Sequence, residues 1–170
     1  MNKKVIVING SGGVGKDTLC DMAAMRYKVK NVSSITPIKE LAKSCGWQGE
    51  KTDRARKFLS DLKRLTTEYN DFPTNWIYKE YVNFLSSDEQ IMFVHIREGS
   101  EIEKFVKKTE GQAKTLLIRG GSRFSNRKKY GNASDDLVEE YPYDYYFTND
   151  NPIEQTEDIF CDFLDKILNF

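Results

Sequence analysis

The stretch Val5–Cys20, VIVINGSGGVGKDTLC, decides how the rest of the chain is interpreted. It starts as a short apolar run, passes through a glycine-rich turn and ends in the apolar beginning of a helix. Gly10 to Lys16 follow the pattern GxxxxGK[ST], but Asp17 stands where this pattern has a hydroxyl residue. A strand, a glycine loop and a helix in this order predict a phosphate-binding loop.

The predicted loop suits a nucleoside triphosphate for physical reasons. A helix N-terminus offers unpaired N–H groups and the positive end of the helix dipole, and glycines let the backbone curl around phosphates. Lys16 adds a point charge for the terminal phosphates. The alternative is a glycine turn that merely ends a strand. The residues predicted to bind ATP are Gly10, Ser11, Gly12, Gly13, Val14, Gly15, Lys16, Asp17 and Thr18.

Asp17 has three interpretations. Its carboxylate is a hard oxygen ligand that suits Mg²⁺, either directly or through water. It could instead face the acceptor and organise the attacking group. The third interpretation is an acidic residue that favours the first turn of a helix. Thr18 likewise either contacts phosphate or only completes the turn.

Length and charge limit the class of protein. A chain of 170 residues predicts one domain spanning 1–170. Lys plus Arg and Asp plus Glu both number 26, so no basic surplus attracts nucleic acid or an anionic membrane. Cys20, Cys45 and Cys161 are too far apart for a CxxC site and argue against a disulfide framework. We expect a cytoplasmic protein, either a monomer or a homodimer.

Short β-branched or aromatic runs alternate with helical patterns, which predicts an α/β fold with a parallel sheet. The predicted strands are 4–9, 29–35, 90–96, 114–119 and 143–148. A first helix is predicted over 16–27. A second is predicted to start with Thr36 as N-cap and Pro37 in its first turn.

Three further helices are predicted from 3.6-residue apolar spacing. Their expected buried stripes are Phe58, Leu59, Leu62 and Leu65 in 51–70; Trp76, Ile77, Tyr81 and Phe84 or Leu85 in 73–87; and Ile159, Phe163 and Ile167 in 151–168. The polar stretch 120–142 has no apolar period. Such a long loop indicates a functional lid or a disordered segment.

The motif GSGGVGKDT resembles the loop of the P-loop kinases related to phage-type deoxynucleoside monophosphate kinases and animal-type phosphomevalonate kinases, which also carry GKD. Shorter similarities follow in the same order: SSITPIKELAKSCGW, KTDRARKFLSDL, FVHIREGSEIEKF and YDYYFTNDNPIEQTEDI. The resemblance implies a three-layer P-loop NTPase fold of the adenylate-kinase type, with a five-stranded parallel sheet and a short lid. It also implies ATP and Mg²⁺ as cofactors, and transfer of the γ-phosphoryl group to a small phosphorylated acceptor.

One position departs from this resemblance. His95 ends the third predicted strand, where the group usually has an aspartate that helps to hold Mg²⁺. A neutral imidazole is a poor ligand for Mg²⁺. Either Asp17 carries more of the metal binding, or the chain is a slow or inactive relative. His95 itself is either a general base or a hydrogen-bonded structural residue.

Phosphoryl transfer needs positive charge and alignment around the moving group. Arg97 follows the third strand at the binding edge of the sheet, where the resembling kinases contact the acceptor phosphate; its alternative is a structural ion pair. Arg54 and Arg56 are further acceptor candidates, with a solvated helix face as the alternative. The remaining candidates belong to the nucleotide side and the lid: Arg119, Arg123, Arg127 and Asn149. Asn149 has an Asx turn as its alternative.

The sequence therefore predicts a kinase that phosphorylates a nucleoside or deoxynucleoside monophosphate, without nucleic acid or membrane as partner. Two alternatives stay open. One is a kinase for another small phosphorylated acceptor, such as phosphomevalonate or dephospho-coenzyme A. The other is a nucleotide-binding regulator without turnover, which the histidine at position 95 favours.

Overall fold

A computed structural model describes residues 3–122 and 137–169. The strands are β1 Lys4–Asn9, β2 Val29–Ser33, β3 Ile91–His95, β4 Ala113–Gly120 and β5 Tyr145–Asn149. The helices are α1 Lys16–Arg26, α2 Thr36–Ser44, α3 Asp53–Asn70, α4 Phe72–Leu85, α5 Gly99–Lys108 and α6 Ile153–Leu168. A short 3₁₀ turn, Val138–Glu140, precedes β5.

The strands form one parallel sheet in the order β2-β3-β1-β4-β5. β1 lies at the centre, between β3 and β4. Strands of a parallel sheet that are covered on both faces have continuous apolar runs, which explains the sequence VIVI at Val5–Ile8. The predicted α/β class and all five predicted strands are confirmed, with ends that differ by a few residues.

Helices cover both faces of the sheet, giving three layers. On one face, α1 and α6 pack over Ile6 and Ile8. On the other, α4 and α5 pack over Val5 and Val7. The carboxyl ends of all five strands therefore meet at one edge of the sheet, where open α/β sheets bind their ligands.

The predicted apolar stripe of α3 is wrong. Within α3, Ala55 is the buried residue, whereas the side chains of Phe58 and Leu65 are 37% and 54% exposed. The physical reason is placement: α3 packs mainly against α2 and α4 instead of against the sheet. An amphipathic pattern alone does not tell how much of its apolar face a helix buries.

The other helices differ from prediction in smaller ways. Thr36 lies inside α2, whose N-cap is Ile35. α4 buries Ile77, Tyr81 and Phe84 as predicted, but Leu85 is 48% exposed. In α6 the buried stripe is displaced from the predicted one, since it consists of Thr156, Phe160, Cys161, Leu164 and Leu168.

Helix α5 is absent from the prediction, which treats the residues after β3 as a turn. Ile102 and Phe105 are fully buried and provide the helical spacing that carries this element. Within the described part of the chain, no helix has both the length and the apolar character needed to cross a membrane.

Candidate active site

The glycine loop lies at the carboxyl edge of the sheet, between β1 and α1, as predicted. Gly10 has φ 156°, and a Cβ atom there would lie 2.5 Å from the backbone oxygen of Ile118. Gly15 has φ 90°, and its Cβ would lie 2.7 Å from the amide nitrogen of Asn149. Both glycines are therefore required by close contact with the neighbouring strands as well as by backbone conformation.

Two buried asparagines hold the loop in place. The Asn149 amide donates a hydrogen bond of 2.9 Å to the Val14 carbonyl. Asn9, which the sequence analysis missed, accepts from the Gly10 N–H at 2.9 Å and donates to the Arg97 carbonyl at 2.9 Å and to the Tyr143 hydroxyl at 2.8 Å. A polar residue at the end of a buried strand was the only sequence signal for Asn9. Through it, the glycine loop and Arg97, the second residue after β3, share one support.

Lys16 begins α1 and folds back over the loop. Its ammonium group donates to the Gly10 carbonyl at 2.6 Å and to the Ser11 carbonyl at 3.4 Å. The side chain therefore lies along the same concave backbone that presents the loop amides. Thr18 is exposed in the first turn of α1 and also lines the cleft described below.

Asp17 and His95 are neighbours in the lining of the cleft described below. The Asp17 carboxylate is 94% exposed and lies 3.9 Å from His95 Nδ1. On its other side, His95 Nε2 lies 3.9 Å from Cys20 Sγ. Burial lowers the pKa of His95 and the charge of Lys16 lowers it further, against the opposing effect of Asp17. The imidazole therefore favours its neutral form.

One cleft of about 1640 Å³ runs from the glycine loop to α2 and α3. Typical pockets for one small ligand measure about 300–1,000 Å³, so this cleft has room for two ligands side by side. Gly12, Gly13, Gly15 and Lys16 line one end. The turn after α2 and helix α3 line other parts of the cleft, and the end of β3 lies close to the loop, where His95 is 3.9 Å from Asp17.

The lining of the cleft beyond the glycine loop is cationic. Arg97 and Arg56, both predicted, are among its residues. Lys63 also lines the cleft and donates to both carboxylate oxygens of Glu98 at 2.9 and 2.8 Å. The sequence analysis did not select the other lysines that line this part of the cleft, Lys39 and Lys51. A small anionic acceptor would meet positive charge on several sides here.

Some predicted residues lie elsewhere. Arg54 is exposed on α3 and is not among the residues that line the cleft. Arg119 is also outside this lining: its guanidinium donates to Glu139 at 2.8 Å and stacks over the Tyr146 ring at 4.4 Å. The structure places Arg119 in an ion pair with Glu139, and its contact with the nucleotide stays a prediction. Arg123 and Arg127 lie outside the described residues.

The donor set for Mg²⁺ at this cleft is small. No group of three or more His, Cys, Asp or Glu side chains that could hold a metal ion occurs within 3–122 and 137–169. Mg²⁺ keeps several waters and binds through one or two carboxylates together with substrate phosphates. The exposed Asp17 carboxylate beside the glycine loop fits that mode of binding.

No protein-family model and no curated protein sequence matches this chain. Several solved structures, however, match this chain. A candidate kinase from Chloroflexus aurantiacus is 13% identical, with 99% of this chain and 97% of that chain covered and a TM-score of 0.57. Shikimate kinase from Bacteroides thetaiotaomicron is 14% identical, with coverage of 98% and 99% and a TM-score of 0.55.

A gluconokinase from Sinorhizobium meliloti is 15% identical, covers 98% of this chain and 94% of its own length, and has a TM-score of 0.50. At such low identity a structural likeness establishes the fold and nothing finer. The chain has the three-layer α/β fold of P-loop kinases, with the five-stranded parallel sheet of the adenylate-kinase type.

Proposed function

We propose that this protein transfers the γ-phosphoryl group of ATP to a nucleoside or deoxynucleoside monophosphate. One observation carries the proposal: the glycine loop and a group of cationic side chains line a single cleft large enough for two ligands. A phosphate donor at the loop and a phosphorylated acceptor at Arg56 and Arg97 would then lie side by side. The kinase fold of the structural neighbours supports phosphoryl transfer in general.

The proposed mechanism relies on position and charge. The loop amides and Lys16 bind the β- and γ-phosphates, while Arg97 and Arg56 bind the acceptor phosphate. An acceptor phosphate oxygen forms a bond to the γ-phosphorus as the bond to the β–γ bridging oxygen breaks, and the electron pair leaves on ADP. Little covalent chemistry is required of the protein, since alignment and electrostatic stabilisation supply most of the rate enhancement.

Mg²⁺ would neutralise charge on the β- and γ-phosphates when bound. Asp17 is the residue proposed to hold it. An uncompensated carboxylate beside a triphosphate would be repulsive, so a cation between them explains why an exposed aspartate is tolerated at this position. His95 faces Asp17 at 3.9 Å and, as a neutral imidazole, adds no competing negative charge.

The proposal is tested by a coupled assay of ADP formation with ATP, Mg²⁺ and a panel of ribo- and deoxyribonucleoside monophosphates. We expect turnover with one or two of them that is lost in Lys16→Ala. Lys43→Ala is the matched control, because Lys43 is an exposed lysine of α2 outside the cleft lining. Binding of ATP without ADP formation for any monophosphate would contradict the proposal.

A second candidate is a nucleotide-binding regulator without turnover. The specific observation in its favour is His95, which places a partly buried, neutral imidazole at the end of β3, where the resembling kinases have an acidic residue. This candidate predicts tight ATP binding and no transfer to any phosphorylated acceptor. His95→Asp helps to distinguish the kinase from the regulator. In a regulator that lacks only this carboxylate, the variant would gain phosphoryl transfer that the wild type lacks, whereas a kinase transfers the phosphoryl group with His95 in place.

A further inference from the structure

Trp47 occupies an unusual place for a tryptophan. It lies in the turn between α2 and α3, is only partly buried, and lines the cleft. It belongs to neither hydrophobic core, whereas Trp76 packs against the core beneath α4 and α5. A large aromatic side chain usually contributes its area to a core or to a binding surface. The position of Trp47 is that of a residue in a binding surface.

Two hydrogen bonds connect Trp47 to this turn and to the end of α2. The Trp47 backbone N–H donates to the Ala42 carbonyl at 3.0 Å, and its indole N–H donates to the Glu50 carbonyl at 3.1 Å. The Glu50 carboxylate in turn accepts from the Gln48 N–H at 2.9 Å. Gly46 and Gly49, with φ 96° and 95°, provide the two left-handed positions of this turn.

These bonds determine what the ring offers to a ligand. The indole N–H is already satisfied inside the turn, so Trp47 presents an apolar aromatic surface to the cleft instead of a hydrogen-bond donor. Lys51 and Arg56 line the same cleft. The surface therefore combines a stacking platform with positive charge, which suits a ligand that has a planar ring at one end and a phosphate at the other.

We propose that Trp47 stacks on the ring of the acceptor and selects acceptors that carry a nucleobase. The inference rests on the proposed phosphoryl transfer and narrows its substrate class. An open-chain phosphorylated acceptor would leave the indole face without a partner. Stacking tolerates every base because each has a π-face, so Trp47 distinguishes ring from no ring and does not by itself choose the base.

The first experiment uses fluorescence. In Trp76→Phe, Trp47 is the remaining tryptophan of the chain. The probes are the common deoxynucleoside monophosphates and 2-deoxyribose 5-phosphate, which has the sugar and phosphate but no base. We expect saturable quenching of Trp47 by the monophosphates and none by the sugar phosphate. Equal quenching by the sugar phosphate would overturn the stacking role.

The second experiment uses kinetics with the monophosphate that is turned over. We expect Trp47→Leu to raise its KM about tenfold, from the loss of stacking on one base, with the KM of ATP unchanged. Trp47→Phe should recover most of this loss, and Trp76→Phe should behave as wild type. An unchanged acceptor KM in Trp47→Leu would overturn the stacking role while phosphoryl transfer stands. Absence of both turnover and quenching with every monophosphate would overturn phosphoryl transfer as well.

Discussion

The two walls of the cleft are built in different ways. The phosphate-loop wall consists of backbone held from behind by buried groups: Gly10 against the Ile118 carbonyl, Asn149 on the Val14 carbonyl, and Asn9 on Gly10 and Arg97. The acceptor wall consists of side chains on the α2–α3 turn and α3, and α3 buries only Ala55 among its residues. One wall binds through main chain, the other through exposed side chains.

This difference has a consequence for specificity. Backbone amides at a helix N-terminus recognise phosphate in any ligand, so the first wall determines the reaction class. Exposed side chains change at little cost to the fold, so the second wall determines the acceptor. Substitutions of the buried supports in the loop wall should therefore affect both stability and turnover, whereas substitutions of exposed side chains in the acceptor wall should affect mainly the acceptor KM.

The largest effect is expected for Asp17→Ala. The account predicts a loss of turnover of about a hundredfold or more, because charge on the reacting phosphates is no longer neutralised, with ATP binding retained. The Mg²⁺ concentration for half-maximal rate should rise. Asp21→Ala, one turn further along α1 and outside the cleft lining, is the control and should keep wild-type kinetics. Equal rates for the two variants would remove Asp17 from the metal site.

Gly10→Ala tests the rigid support of the loop wall. The added Cβ would lie 2.5 Å from the Ile118 oxygen, so the backbone must shift, and we expect a loss of about 3 kcal/mol in the free energy of unfolding. Gly49→Ala is the matched control on the acceptor wall: its φ is 95°, but nothing lies within 4 Å of the new Cβ. It should cost only about 1 kcal/mol of left-handed strain. Urea titrations measure both values, and similar losses would contradict the comparison.

Asn149→Ala removes the amide that donates to the Val14 carbonyl. We expect about 2 kcal/mol of destabilisation, because a buried carbonyl loses its partner. The KM of ATP should rise as the loop loosens. Asn75→Ala serves as control: this exposed asparagine of α4 donates to the Asn70 carbonyl at 2.8 Å, and because that carbonyl is accessible to water, its loss should cost less stability and leave the KM of ATP unchanged. If Asn149→Ala raised the KM of ATP without lowering stability, a direct contact with the nucleotide would be the better explanation.

The Tyr143 hydroxyl, which accepts a hydrogen bond from Asn9 behind the glycine loop, should make the free energy of unfolding depend on pH. Burial raises the pKa of this hydroxyl from 10.0 to about 12. The unfolded chain therefore loses this proton first, and stability should fall as pH rises between 10 and 12, by about 1.4 kcal/mol per pH unit from this one group. Tyr143→Phe should make the slope of unfolding free energy against pH shallower by that amount. Tyr69→Phe, at a tyrosine that is 86% exposed, should leave the slope unchanged.

The smallest effect is expected for Arg56→Ala on the acceptor wall. Loss of one exposed cation should raise the acceptor KM about fivefold, with stability and the KM of ATP unchanged. Arg54→Ala is the matched control, two residues away on the same helix but outside the cleft lining. A larger effect for Arg54 than for Arg56 would reverse the assignment that the structure supports.

The same contrast explains how much could be predicted from the sequence. The strand VIVI and the motif GSGGVGKDT carry local signals, apolar runs and glycine spacing, so β1, the loop and α1 were predicted correctly. The contacts of Asn9 with Tyr143 and of Asn149 with Val14 form only after distant segments have come together, and no local pattern marks these contacts.

On the acceptor wall the sequence offered too many candidates instead of too few. Arg54 and Arg56 have the same local chemistry, and only the direction of each side chain on α3 separates them. Trp47 is an aromatic residue for which core packing was the more natural interpretation, but the structure places it in a turn outside both cores. Arg119 satisfied the expected strand-end position, yet Glu139, twenty residues later, pairs with it.

The central claim is that the loop wall delivers a phosphoryl group to a monophosphate held by the acceptor wall. Its most direct test is to incubate the protein with γ-³²P-labelled ATP, Mg²⁺ and each deoxynucleoside monophosphate, and to separate the nucleotides. The account predicts label in the nucleoside diphosphate of at least one base, and none with Lys16→Ala. Label that stays in ATP or appears only as inorganic phosphate with every acceptor would contradict it.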